Sequence, residues 1–198
     1  HLGCKTAMSF LFSLFLLVAC GESSDSNGEI PLPTDKEENE SNGDNVQTET
    51  YNELYRPQIH YTPAKNWVND PNGLVYADGI YHLFYQYNPK GNDWGNMSWG
   101  HATSTNLIEW KEQAVALERD VLGDIFSGSA VCDADNTAGF GKGAIVALYT
   151  SAGSHQQQSM AYSTDGGKSF VKYDKNPVIP NSSESDFRDP KVVWHKET

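Results

Sequence analysis

The sequence contains few cysteines and no pattern of them that indicates a disulfide framework or a metal site. Its 198 residues include three cysteines, at positions 4, 20 and 132. Cys4 belongs to a predicted signal peptide and Cys20 is a predicted lipid site, which leaves Cys132 without an internal partner. No Cys/His cluster has zinc-ligand spacing, and no glycine-rich phosphate loop occurs. We therefore expect neither a metal nor a cofactor.

An excess of basic charge and a long apolar run are also missing. Residues 51–198 carry 12 basic and 17 acidic side chains, a net charge of −5. With no basic stripe, nucleic-acid binding has no electrostatic support. The apolar run at residues 10–19 has ten residues, whereas a membrane-spanning helix needs about 20.

That short apolar run is typical of a secretory signal, with Lys5 ahead of it. It ends in Leu-Val-Ala-Cys-Gly, which resembles a bacterial lipobox and implies cleavage before Cys20 and lipid attachment to its sulfur. Residues 1–19 are thus predicted to be a lipoprotein signal peptide, and the protein to be exported and anchored to a bacterial membrane. An ordinary signal peptide with a chance cysteine is the alternative.

The segment after Cys20 is strongly acidic. Residues 21–50 hold nine acidic side chains and one basic one, a net charge of −8 out of −12 for the chain. Almost nothing apolar is available there for burial, so residues 20–50 are predicted to form a disordered, self-repelling tether. Residues 51–198 are then the folded part.

Short strands and turns, without a helical apolar period, characterise the folded part. Hairpin turns are predicted at Asp78-Gly79 and at residues 164–168. Strands are predicted at residues 73–76, 80–87, 99–104, 110–112, 126–131, 144–149, 159–163, 170–173 and 192–194. Such evenly spaced strands favour an all-β barrel, sandwich or propeller, and the hairpins alone do not separate these folds.

The stretch Trp-Val-Asn-Asp-Pro-Asn-Gly at residues 67–73 contains the first candidate for chemistry. Asp70 precedes Pro71, which favours an extended backbone, and Asn72-Gly73 predict a tight turn into the next strand. Asp70 is therefore expected at an exposed strand end, where a carboxylate can meet a substrate. The same residue types also make an ordinary turn.

Two further polar clusters follow, around Gln86 and Trp94 and at Arg188-Asp189-Pro190. Asp189, like Asp70, precedes a proline, so its backbone is expected to be extended. The positive charge of the adjacent Arg188 favours the ionised form of the Asp189 carboxyl. Each residue has a plainer interpretation. Gln86 would only bond a loop, Trp94 would be a core aromatic, and Arg188-Asp189 would be a solvated pair.

Five motifs in order strengthen the functional interpretation. After residues 67–73 come Phe-Tyr-Gln-Tyr-Asn-Pro, Trp-Gly-Asn-Met-Ser-Trp-Gly-His-Ala, Phe-Ser-Gly-Ser-Ala and Arg-Asp-Pro. Together they resemble glycoside hydrolase family 32, the invertases, inulinases and levanases, over residues 58–194. The resemblance implies a five-bladed β-propeller with a central active site, followed in the family by a β-sandwich. Residues 51–198 would be the N-terminal two to three blades of that propeller.

The resemblance also implies an activity and a set of site residues. The family cleaves β-fructofuranosyl linkages in sucrose or fructans such as inulin and levan, with retention. By motif match Asp70 would be the nucleophile and Asp189 the transition-state stabiliser. The matched substrate-binding positions are Asn69, Gln86, Trp94, Phe126, Ser127 and Arg188.

One catalytic group of the family is not matched. Retaining hydrolysis needs a second carboxyl as acid/base, about 5–5.5 Å from the nucleophile, and in this family it is a glutamate in a Glu-Cys motif after Arg-Asp-Pro. Glu184 and Glu197 do not fit that motif. We expect the chain to be truncated before this residue and the segment alone to be inactive. Alternatives are a non-catalytic fructan-binding surface lipoprotein and a related propeller glycosidase acting on arabinan or xylan.

Overall fold

Two four-stranded antiparallel sheets form the regular structure of the computed structural model, which describes residues 51–195. The first sheet contains β1 (Val68–Ala77), β2 (Ile80–Tyr87), β3 (Ser98–Ser104) and β4 (Lys111–Glu112). The second contains β5 (Asp124–Asp133), β6 (Ala144–Ala152), β7 (Gln156–Ser163) and β8 (Val171–Lys172). Both sheets keep their strands in chain order, as consecutive propeller blades do. The predicted all-β fold is confirmed, and residues 51–195 form two of the two to three predicted blades.

Both predicted hairpins are present. Asp78 and Gly79 join β1 to β2 with φ angles of 48° and 84°, as a two-residue hairpin turn with positive φ at both positions requires. Between β7 and β8, Gly166 and Gly167 have φ angles of 72° and 80°, and the Asp165 carboxylate accepts backbone hydrogen bonds within the same turn. These turn residues therefore place β1 beside β2 and β7 beside β8.

The tight turn predicted at Asn72-Gly73 is wrong, because β1 runs through it. The pairing of β1 with β2 shifts register between Asn72 and Val75, and Gly73 has φ of 50°. A Cβ at Gly73 would lie 3.0 Å from the Phe84 ring and 3.2 Å from Ala130. Glycine is therefore needed here because the strand is irregular and packs closely on the core. The chain continues as β1 and does not reverse direction.

The strand predicted at residues 192–194 is not formed either. The backbone N–H of Val192 donates to the hydroxyl of Ser129 in β5, and that hydroxyl donates to the carbonyl of Pro190. A side chain therefore takes the place of a backbone partner along β5. Pro190 has no N–H to offer, which weakens a regular ladder at this position.

The core lies between the two sheets. Trp99 and Phe84 from the first sheet meet Tyr149 and Ile125 from the second, and all four are fully buried. The Trp99 and Tyr149 rings pack edge to face, with centroids 6.2 Å apart. This packing brings β1 alongside β5, so that residues of different blades face one another.

No helix in the described part of the chain is long and apolar enough to span a membrane. The predicted signal peptide, the lipid site at Cys20 and the acidic tether at residues 20–50 lie outside the described residues.

Candidate active site

A β-bulge presents Asp70 to solvent. Asn69 pairs with Gln86 of β2, and Pro71 pairs with Tyr85, which is adjacent to Gln86 in the same strand. Asp70 has no partner of its own and is the extra residue of β1. Pro71 is tolerated because bulges leave a backbone group unpaired. Asp70 is exposed, as the sequence predicts, but it lies within an edge strand and not beside a turn.

A second bulge in β5 brings Ser127 to the same place. Phe126 pairs with Thr150 and Gly128 with Tyr149, which leaves Ser127 as the extra residue. Its hydroxyl donates to Oδ2 of Asp70 across 3.0 Å. Two facing bulges, one in each sheet, therefore join around the Asp70 carboxylate.

All eight sequence-derived site residues line one hollow of about 150 Å³. Asp70 and Asp189 share it with six others: Asn69, Gln86, Trp94, Phe126, Ser127 and Arg188. A larger hollow of about 600 Å³ adjoins it, shares both aspartates, and extends along β1 and β5. Glu184 lines neither hollow.

The side-chain amides of Asn69 and Gln86 are each held by one hydrogen bond, which leaves the other polar atom of each amide able to bind a ligand. The indole N–H of Trp67 donates to Oδ1 of Asn69 across 2.7 Å, so the amide nitrogen of Asn69 remains as a donor. The amide nitrogen of Gln86 donates to the carbonyl of Ile125 across 3.0 Å. Gln86 therefore ties β2 to β5 and lines the hollow as well. Trp67 lines neither hollow, but it holds a residue that does, a role that sequence reasoning missed although Trp67 opens the first motif.

Aromatic side chains form an apolar wall. Trp94 is 57% exposed, so its alternative assignment to the core is wrong. Its ring meets that of Phe126 edge to face, with centroids 6.1 Å apart. The Trp99 indole N–H donates to the Phe126 carbonyl across 3.0 Å and so fixes this part of β5 from the core.

The backbone of Asp189 differs from the sequence prediction. Its φ is 63°, in the left-handed region, and the predicted extended conformation is wrong. Aspartate visits this region more readily than most residues, and the backbone N–H of Asp189 donates to the hydroxyl of Thr150 across 3.2 Å. A tertiary contact thus overrides the local preference set by Pro190.

Arg188 contributes a fixed positive charge beside Asp189. Its Nε lies 3.9 Å from Oδ2 of Asp189, and its guanidinium also pairs with Asp186, which raises the pKa of Arg188. Both ion pairs are well exposed, so they contribute little to stability. Together they hold the Arg188 guanidinium at the rim of the hollow. Across residues 51–195, no group of three or more His, Cys, Asp or Glu side chains is arranged to hold a metal ion.

Comparison with known proteins identifies the family. Residues 60–198 match the model of the glycosyl hydrolases family 32 N-terminal domain. The chain is 54% identical to a levanase of Bacillus subtilis over 158 residues, which cover 78% of this chain and 23% of the levanase. It is 49% identical to the extracellular exo-inulinase of Aspergillus niger, covering 75% of this chain and 33% of that protein. The chain thus spans about a quarter to a third of the length of these relatives.

Solved structures agree with this result. The exo-inulinase of Aspergillus awamori superposes with a TM-score of 0.69 at 48% identity, covering 74% of this chain and 34% of that one. A fructofuranosidase of Schwanniomyces occidentalis in complex with fructose gives a TM-score of 0.68 at 47% identity, covering 76% and 31%.

Proposed function

This chain belongs to glycosyl hydrolase family 32, and from that premise we propose that the protein hydrolyses β-fructofuranosyl linkages in sucrose or fructans with retention. The observation that carries the proposal is the single hollow shared by Asp70, Asp189 and six further side chains. Relatives named levanase, exo-inulinase and invertase support fructose-containing substrates.

In the proposed reaction Asp70 is the nucleophile. A carboxylate oxygen of Asp70 bonds to the anomeric carbon of the fructosyl unit while the glycosidic bond breaks. The leaving oxygen takes a proton from a second carboxyl, the acid/base, to which we assign no residue of this chain. Water then attacks the fructosyl ester, gives its proton to the same acid/base and releases Asp70 and fructose. Exposure of Asp70 at the bulge supports this role, since a nucleophile must reach the sugar.

The remaining side chains suit a sugar in the same hollow. Positive charge develops on the sugar ring in the transition state, and the Asp189 carboxylate stabilises it. Donors on Asn69 and Arg188 bind hydroxyl groups, and the rings of Trp94 and Phe126 cover an apolar face of the sugar.

Hydrolysis assays on the full-length protein test the proposal. Release of fructose from sucrose, inulin and levan, with arabinan as the comparison substrate, identifies the linkage cleaved. Asp70→Asn is expected to lower kcat on the order of 10⁴-fold, and Asp135→Asn, in the exposed β5–β6 loop, serves as the control. Full activity of Asp70→Asn would remove the nucleophile from the proposal. Fructan binding without turnover by the wild-type protein would favour a binding protein.

We also propose that the protein is exported and carries lipid on Cys20. Relatives named extracellular support export, and the sequence Leu-Val-Ala-Cys-Gly after a ten-residue apolar run supports lipidation. Incorporation of a labelled fatty acid into the full-length precursor should be lost in Cys20→Ser. Labelling that persists in this variant would contradict lipid attachment at Cys20.

A further inference from the structure

The strained backbone of Asp189 needs a source of restraint. A non-glycine residue at φ of 63°, followed by proline, has a rarely populated backbone conformation that persists only where its surroundings hold it. Residues 187–189 lie against side chains of the second sheet.

A short relay of hydrogen bonds supplies that restraint. The hydroxyl of Thr150 in β6 accepts the bond from the Asp189 N–H and donates to Oε1 of Gln158 in β7, across 3.2 and 2.9 Å. The amide nitrogen of Gln158 then donates to the carbonyl of Phe187 across 2.7 Å. Thr150 is 0% exposed and Gln158 4% exposed. Water therefore does not compete for these bonds. The amide N–H of Gln158 keeps its partner only while residues 187–189 stay in place, and leaving it buried without one is costly.

The relay lies on the face of the second sheet that is turned away from the core. Thr150 and Gln158 are direct cross-strand partners, and side chains alternate between the two faces along a strand. Tyr149, the preceding residue of β6, packs in the core between the sheets. Thr150 therefore points to the opposite side, where the Asp189 segment runs.

We propose that Thr150 and Gln158 are positioning residues for Asp189. They hold its backbone in the left-handed conformation and so direct its carboxylate into the hollow shared with Asp70. This inference rests on the proposed function, in which Asp189 stabilises the transition state. Neither residue lines the hollow, and they act only through the segment that they hold.

A matched pair of hydroxyls on the same two strands provides the control. Ser151 and Ser159 are both fully buried and share a hydrogen bond of 2.8 Å. They lie on the core face of β6 and β7, because Ser151 follows Thr150 directly. Ser151→Ala therefore removes an equally buried hydroxyl without touching the Asp189 segment.

The test compares the kinetics and melting temperatures of full-length variants on sucrose. Thr150→Val keeps the shape and removes the hydroxyl, and it is expected to lower kcat about 10–100-fold with less than a threefold change in KM. Thr150→Ser restores the hydroxyl and should return kcat to within about threefold of wild type. Ser151→Ala should keep wild-type kcat and KM even where its melting temperature falls as far as that of Thr150→Val.

Two outcomes overturn different statements. Wild-type kcat in Thr150→Val, with Asp189→Asn inactive, overturns the positioning role and leaves the proposed function intact. Full activity of Asp189→Asn overturns the role of Asp189 itself. If Thr150→Val is not recovered folded, Gln158→Met makes the same comparison. Loss of kcat in this variant supports the inference, and wild-type kcat overturns it.

Discussion

Ser127 donates a hydrogen bond to Asp70 across 3.0 Å, and each of the two is the extra residue of a β-bulge. The bond joins an edge strand of one sheet to an edge strand of the other. Bulges re-aim side chains at functional sites, and here two of them converge on one carboxylate. The position of Asp70 therefore depends on how the sheets pack as well as on its own strand.

Removing the Ser127 hydroxyl should weaken catalysis. A hydrogen bond to a charged group contributes about 1.5–3 kcal/mol, and partial exposure of Ser127 favours the lower value. Ser127→Ala is thus expected to lower kcat/KM for sucrose about tenfold in the full-length protein. Ser127→Thr keeps a hydroxyl and should stay close to wild type, and equal losses in both variants would show that the hydroxyl is not the cause.

Loss of the Trp67 indole N–H should affect substrate binding first. Its bond to Asn69 fixes which end of that amide faces the hollow, and a neutral hydrogen bond contributes about 1 kcal/mol. We expect Trp67→Phe to raise KM about fivefold with a smaller change in kcat. Trp110→Phe is the control, because the Trp110 indole donates to Leu107 away from the hollow. An unchanged KM in Trp67→Phe would contradict the orienting role.

Local sequence signals predicted the parts of the fold that depend on local chemistry. Asp78-Gly79 predicts its hairpin because both residues tolerate positive φ, and the aromatic run of β2 predicts a strand. Asp70 is exposed as predicted, but through a β-bulge and not through the predicted turn. The family motifs supplied the eight residues that line the hollow, which no single spacing could have grouped.

Features that depend on contacts between distant segments were not predicted. The bulges at Asp70 and Ser127 arise from strand register, which is set by sheet pairing. The left-handed backbone of Asp189 depends on Thr150, 39 residues earlier in the chain. Gln158 has no sequence signal for its role, since a glutamine in a strand is usually a surface residue.

Gly128 should tolerate no side chain. A Cβ at this position would lie 2.0 Å from the carbonyl oxygen of Leu148, which is backbone in the neighbouring strand and has no room to move away. Gly128→Ala is expected to destabilise the protein by about 3 kcal/mol or more. Gly79→Ala meets nothing within 4 Å and carries only the strain of φ at 84°, so about 1 kcal/mol is expected. Urea unfolding of both full-length variants measures the difference, and equal losses would contradict the steric argument.

A buried histidine pair in the first sheet should make stability depend on pH. Nδ1 of His82 lies 3.1 Å from Nε2 of His101, and the two side chains are 2% and 3% exposed. Burial lowers the pKa of His101 from 6.5 to about 3, with the neighbouring His82 as a second cause. Burial also lowers the pKa of His82, which the Asp78 carboxylate partly offsets. Stacking of His101 on Phe84, with centroids 4.6 Å apart, keeps the pair in apolar surroundings.

The sign of the pH effect follows from these directions. The unfolded chain binds protons at His101 below about pH 6.5, and the folded chain does so only near pH 3. The contribution of neutral His101 to stability is therefore fully present above pH 6.5 and is lost as the pH falls towards 3. At pH 5 the free energy of unfolding is lower by about 2 kcal/mol because of this one group. Urea unfolding of the full-length protein at pH 7.5 and 5.0 measures the loss. His101→Asn should reduce the difference between the two pH values, whereas the exposed His155→Asn should leave it unchanged. An undiminished difference in His101→Asn would assign the acid sensitivity to other groups.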